Sequence, residues 1–359
     1  MLNHEMRDAR RELDAAAAAA PGNFATRLVD VTWQMNNGQG ARGMQQLAVL
    51  LKEYGTTGEV WSLSGAIHHA RGEFAAALED YDRALARAPR NLDVRIAKIG
   101  LLIDLNRDAE GAVDFTYLQR EFPGEPRAAY LRSIVASRAG RLDEVDEALQ
   151  SALTALAPLT EESYAANPAL NLIKGLSRYG LRQFELAIPA LQSYIARRPD
   201  DVGAHKAPGD ALLKTNAAAA AVMVLEAAVE RHPQDARAQM LLATAYAVTG
   251  MGDQAAALLE RVASTGAGNN AARTRLAMIN IGAGRVDQGM SELAASFAKD
   301  PSDPQGGIAL VVAYLKARKS VLAVEAATKL LASAPDYPLY LNLLGIALFM
   351  DDKLDAARM

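Results

Sequence analysis

The chain has 359 residues, a formal net charge of -4, half of its residues hydrophobic, 6% aromatic and no cysteine, which excludes a disordered chain, disulfides, a catalytic thiol and thiolate metal centres. The weakly acidic balance supplies no basic field for a nucleic acid or an acidic membrane surface. The longest apolar runs, Ala217 to Leu225 and Ile308 to Leu315, fall short of the roughly 20 residues that span a bilayer, and residues 1–11 mix charges of both signs without a signal-peptide core.

Residues 1–23 read as one helix, with Ala9, Leu13 and Ala16 ahead of Pro21, the pattern of the second member of a helical pair whose first member is missing. From Phe24 onward short helices follow in pairs at a fixed interval. Pro89 and Pro123, Pro199 and Pro233, and Pro301 and Pro335 are each 34 residues apart. Proline lacks an N–H and clashes with the preceding turn, so each of these ends a helix. The segment Gly58 to Asn91 carries one pair whole, as Trp61, Gly65, Gly72, Ala77, Tyr81, Ala84 and Pro89. Gly65 and Ala77 fall where the two helices cross and Ala84 where the second meets the next pair, so small side chains allow close approach; Trp61 and Tyr81 fill the space around them. Gly72 supplies the turn. Each pair leaves an apolar face that only a neighbour covers. These residues resemble the tetratricopeptide repeat (TPR) family, whose period is 34 residues. The resemblance implies an all-α fold, a right-handed superhelical α-solenoid of helix-turn-helix repeats.

The same register places repeat starts at Phe24, Gly58, Leu92 and Pro126, then, after an eight-residue insertion, at Pro168, Val202, Ala236, Asn270, Pro304 and Pro338. Repeats 1–4 occupy 24–167 with the insertion near 159–167, repeats 5–9 occupy 168–337, and 338–359 begins a truncated repeat that stops at Met359 after Leu344, Gly345 and Ala357. Composition is uniform and no linker is apparent, so one continuous array is expected. The insertion is expected to form an extra helix with Thr160 as its N-cap. Pro208 stands where a first helix calls for a large apolar residue, so that repeat is expected to kink or to start late. Neither end carries the polar cap that a solenoid needs, so the chain is expected to be a slice of a longer repeat protein.

Other motifs read as structural. Gly38-Gln39-Gly40-Ala41-Arg42-Gly43 is a literal G-x-G-x-x-G, but it follows a helical stretch, not a strand, and falls at an inter-helix turn. His68 and His69 could begin a metal site, yet no third ligand is placed, and His68 takes the slot that Tyr246 and Tyr314 fill elsewhere. The alanine tracts at 15–20 and 217–221 suit tight helix packing. Adjacent carboxylates such as Asp351 and Asp352 point apart on a helix, and no catalytic constellation, cofactor site or metal site is found. The chain is therefore expected not to be an enzyme.

In TPR arrays the first helices line a concave groove, and the resemblance implies that repeat positions 2, 5, 9, 12 and 13 face it. From the fourth repeat these positions carry Arg127, Arg138, Lys206, Asp210, Lys214, Arg237 and Lys316, interleaved with Tyr130, Tyr179, Met240, Met278, Ile308, Leu315 and Phe349. Earlier repeats contribute Glu59, Asp93 and Asp104. The expected partner is a protein or extended peptide, anionic with apolar anchors. Position 9 is never Asn in the complete repeats, which departs from the TPR type that grips a terminal carboxylate.

Shorter strings, Arg273-Thr274-Arg275-Leu276-Ala277 with Gly284-Arg285-Val286-Asp287, then Leu310 to Leu315 and Asn342-Leu343-Leu344-Gly345-Ile346-Ala347, resemble the bacterial TPR-repeat lipoproteins of exosortase (PEP-CTERM sorting) and exopolysaccharide systems. That resemblance implies a periplasmic or outer-membrane-anchored assembly protein, held by a lipid on an upstream cysteine; otherwise a cytoplasmic place is expected. The competing expectation is a direct carbohydrate-binding or transferase-associated module of the same kind of system.

Overall fold

A computed structural model describes residues 2–199, 201–265, 269–301 and 303–352. Among these residues there are helices and turns but no strand, and no helix is long and apolar enough to cross a membrane. The chain divides into two compact units, Met1–Pro158 and Leu159–Met359. This corrects the expectation of an undivided array: the division falls at the insertion, where the 34-residue register is broken although composition does not change.

The first unit contains α1 (Leu2–Ala19), α2 (Phe24–Asn36), α3 (Gly40–Tyr54), α4 (Gly58–Ala70), α5 (Phe74–Arg87), α6 (Leu92–Asp104), α7 (Ala112–Glu121), α8 (Pro126–Arg138) and α9 (Leu142–Leu156). A short 3-10 turn, Asp108–Gly111, leads into α7. The second contains α10 (Glu161–Ala166), α11 (Ala169–Gly180), α12 (Phe184–Arg197), α13 (Val202–Lys214), α14 (Ala218–Arg231), α15 (Ala236–Val248), α16 (Gly252–Ser264), α17 (Asn269–Gly282), α18 (Val286–Lys299), α19 (Pro304–Lys316), α20 (Ser320–Ser333) and α21 (Pro338–Met350). The helix expected after α21, with Ala357 and Met359, lies outside the described residues. Within each unit successive helices pack as antiparallel hairpins, and each hairpin stacks on the next.

Three local devices repeat along the chain. Asn23, Asn91, Asp201 and Asp235 precede first helices and accept a hydrogen bond from the backbone N–H three residues on, which satisfies a donor that the helix start leaves open. The turn inside each hairpin passes through a left-handed residue, at Gly38, Gly72, Asn106, Gly140, Arg182, Asn216, Gly250, Gly284, Arg318 and Asp352. A left-handed residue there lets the chain reverse within two or three residues. Finally, a large side chain on the second helix is buried between the helices of its hairpin, as with Leu47, Tyr81, Leu149, Leu191, Leu225, Leu259 and Leu293. Each such burial stabilises by about 1.5–3 kcal/mol. Around them form the separate apolar clusters of Leu242, Leu258 and Val262, and of Met290, Phe297, Leu310 and Leu330.

The insertion forms the six-residue helix α10, whose N-cap Thr160 accepts from the Ser163 N–H. Pro208 behaves differently from expectation: α13 begins at Val202 in full register, capped by Asp201, and runs through Pro208 to Lys214. Because Gly209 beside it leaves room for Leu225 to press in, packing offsets the lost hydrogen bond. α12 likewise contains an interior proline, Pro189.

Candidate functional site

In the second unit the first helices α11, α13, α15, α17, α19 and α21 lie side by side. α11 touches α13, α13 touches α15, α17 touches α19 and α19 touches α21, while α15 and α17 approach each other less closely. A concave pocket of about 600 Å³ opens at this wider spacing. Its wall is largely apolar, with Ala243 and Ala247 from α15, Met278 and Ile279 from α17, and Ile308 and Val312 from α19. Small alanines on α15 leave the volume open, and Met278, 52% exposed, forms part of the rim. The expected groove residues Met278 and Ile308 are thus brought together, and Met240 sits on the adjoining turn of α15.

The charges behave less simply. Arg127 lies against Glu125 and Asp93 at 2.8 and 2.7 Å, and these partners hold its guanidinium more firmly protonated than usual. Arg138 donates to the Ile103 carbonyl and to Asp108. Lys206 donates to Asp235, the N-cap of α15, at 2.7 Å. Lys214 stands 3.6 Å from Asp210 and over the Phe184 ring. These four cations are engaged within the protein and are not the free positive surface that repeat arithmetic suggests. Arg237 and Lys316 are exposed and carry no hydrogen bond or ion pair among the described residues. Arg127, Tyr130 and Arg138 belong to the first unit and the other expected residues to the second.

The phenol of Tyr179 donates to Asp210, and burial together with that carboxylate pushes it up to about 12. Tyr130 is half-buried, and burial raises its phenol as well. A cation that position counting passes over, Arg275, lies in the pocket wall. It reaches from α17 to α15 and donates to the Met240 carbonyl at 3.3 Å and the Thr244 hydroxyl at 3.5 Å. Both acceptors are neutral, and burial pulls its guanidinium below the usual arginine range, opposed by Asp210. Arg275 occupies the sixth place of its repeat, outside the positions assigned to the groove; only the length of an arginine pointing across an alanine-rich neighbour could have signalled it.

The remaining motifs take structural places. His68 Nδ1 and the Ser64 hydroxyl both meet the same oxygen of buried Asp80, at 2.7 and 2.5 Å. Among the described residues no group of three or more His, Cys, Asp or Glu could hold a metal ion. In the G-x-G-x-x-G string Gly38 is the left-handed turn residue and Gly40 opens α3.

A stack of helical hairpins with a left-handed turn residue at each 34-residue step defines an all-α solenoid of repeats. Two tetratricopeptide-repeat family models match the chain, one over residues 25–157 and one over 174–224, 209–269 and 308–358. The chain belongs to the tetratricopeptide repeat family. Similar solved structures include a MamA RS-1 ArsTM double mutant, 18% identical, covering 44% of this chain and 88% of that one with a TM-score of 0.37. YrrB, a TPR protein with an unusual peptide-binding site, is 17% identical over 50% of this chain and 94% of that one, with a TM-score of 0.39. A chain of the APC/C hetero-tetramer Cut9-Hcn1 is 14% identical over 96% of this chain and 87% of that one, with a TM-score of 0.40. No curated protein matches the chain in sequence.

Proposed function

We propose that this chain is a non-catalytic scaffold of nine complete repeats with a partial one on each side, holding an extended peptide or protein segment along the face of its first helices. The observation that carries this reading is the open apolar pocket shared by α15, α17 and α19, an amount of concave apolar surface that a face meeting only water does not need. The unengaged Arg237 and Lys316 favour an anionic partner with apolar anchors. A direct carbohydrate ligand is less well served, because sugar rings stack on aromatic faces and no aromatic residue lines this pocket. The strings at 273–277, 284–287 and 342–347 support a place in assembling a bacterial exopolysaccharide or exosortase system, with a lipid anchor outside this chain.

Parallel screening on a peptide array and a glycan array tests the reading. Binding of peptides, abolished when Val312→Trp fills the pocket, is expected; saturable glycan binding with no peptide signal would overturn it.

A further inference from the structure

The cation in the pocket wall carries the reading further. Arg275 is half-buried, yet none of its hydrogen bonds goes to a carboxylate, and only one of its terminal nitrogens is engaged. The negative group whose field reaches it, Asp210, already accepts from Tyr179 and faces Lys214. Placing a guanidinium in a partly dry wall without a counter-charge is costly, and an anion that arrives there recovers the loss. Two further features shape that anion. The wall around it is aliphatic, from Met278, Ile279, Ile308 and Val312, so the ligand must carry an apolar chain close to its charge. Its polar rim is neutral, with Thr244, Thr274 and Gln305, and no second cation lines the pocket. One planar fork suits a carboxylate, whereas a phosphate group calls for more donors and more charge.

From this we infer that the α15–α17–α19 pocket is a recognition subsite for an acidic residue beside an aliphatic one within an extended peptide, with Arg275 pairing the carboxylate and the cavity taking the aliphatic side chain. The inference rests on the scaffold reading above and adds the partner's local chemistry and the residue that reads it. The open terminal nitrogen and the Nε of Arg275 are the groups that a carboxylate engages, and Thr244 keeps the guanidinium aimed across α15. Arg237 and Lys316 lie outside the pocket lining, so they steer a negative peptide without setting its register.

A random twelve-residue peptide library displayed on phage is the probe, selected against the wild-type chain. Enriched sequences are then synthesised, each with a partner in which Asp or Glu becomes Asn or Gln, and titrated by fluorescence anisotropy. Enrichment of Asp or Glu within two residues of Leu, Ile or Met is expected. Arg275→Met, which keeps the stem and removes the charge, is expected to weaken the acidic peptides by roughly tenfold to a hundredfold, the range of a hydrogen bond to a charged group, while leaving their amide partners unchanged. Equal losses for both members of each pair would mean that Arg275→Met acts through packing and would overturn the inference. Peptides that bind with no acidic preference, or bind Arg275→Met as well as wild type, overturn the subsite and leave the scaffold reading standing. No enrichment at all overturns both. Circular dichroism of Arg275→Met confirms that any loss arises in a folded protein.

Discussion

The joint between α6 and α7 offers the sharpest test of how these hairpins are held. α7 is only ten residues long and begins on a 3-10 turn, so it offers little apolar surface, and a buried ion cluster reinforces it. Asp114, 7% exposed at its side chain, accepts from Arg95, 12% exposed, and lies 3.0 Å from Lys98; Lys98 also meets the exposed Asp82 at 2.8 Å. Removing one partner of a buried pair costs about 3–5 kcal/mol, because the other charge is left in place. In Asp114→Asn, Arg95 retains the Pro89 carbonyl and the Tyr117 face, and Lys98 retains Asp82. The expected loss is therefore at the low end, about 3 kcal/mol. Asp82→Asn, at a side chain 61% exposed, should cost at most about 1 kcal/mol and lose that effect in about 1 M salt. Both tryptophans of the chain, Trp33 and Trp61, lie in the first unit, so urea unfolding followed by tryptophan fluorescence reports on that unit alone. Equal costs for the two variants, or an Asp114→Asn effect that salt removes, would refute the argument.

Further perturbations follow from the same geometry. Arg318 holds φ 56 in an inter-helix turn; releasing about 1–2 kcal/mol of left-handed strain and adding glycine's entropy cost gives a net gain of about 0.5–1 kcal/mol for Arg318→Gly, read as a raised urea midpoint by circular dichroism. Gly175→Ala should lose about 1–3 kcal/mol, since a Cβ there would stand 2.5 Å from Cγ of the fully buried Leu191, whereas Gly100→Ala, with nothing within 4 Å, should gain up to about 1 kcal/mol. At high pH, Tyr81, Tyr179, Tyr194 and Tyr246 are pushed up to about 12, chiefly by burial and then by Asp80, Asp210, Asp201 and Glu226 in turn. A raised phenol stabilises fully below its unfolded value of about 10 and loses that contribution as pH climbs through about 12, so denaturant midpoints should fall across that window in step with phenolate absorbance.

The fold was legible because its signals are local and periodic. First helices begin at Phe24, Gly58, Leu92, Pro126, Val202, Ala236, Pro304 and Pro338, each a step that proline and glycine spacing marks, while α11 and α17 start one residue away from the register. Turn chemistry was only half visible: glycine announces the left-handed residue at Gly72 or Gly140, but Arg182 and Arg318 adopt the same conformation because the packed helices on each side impose it. The division at Pro158 left no mark in composition, since a broken register is a matter of packing. The candidate site was legible as a face and not as a set of charges. Counting positions identifies which side chains share that face, but whether a cation is free depends on what stands one repeat away. Asp93 and Arg127 both hold the second place of adjacent repeats, and their opposite charges, 34 residues apart, were a readable sign that they pair. Lys206 and Asp235 gave no such sign, because their contact joins a helix interior to the cap of the next first helix. The same reasoning explains Arg275. Its repeat position faces the neighbouring helix, so only the wider spacing of α15 and α17, invisible to a register, turns a packing arginine into one whose charge reaches the pocket.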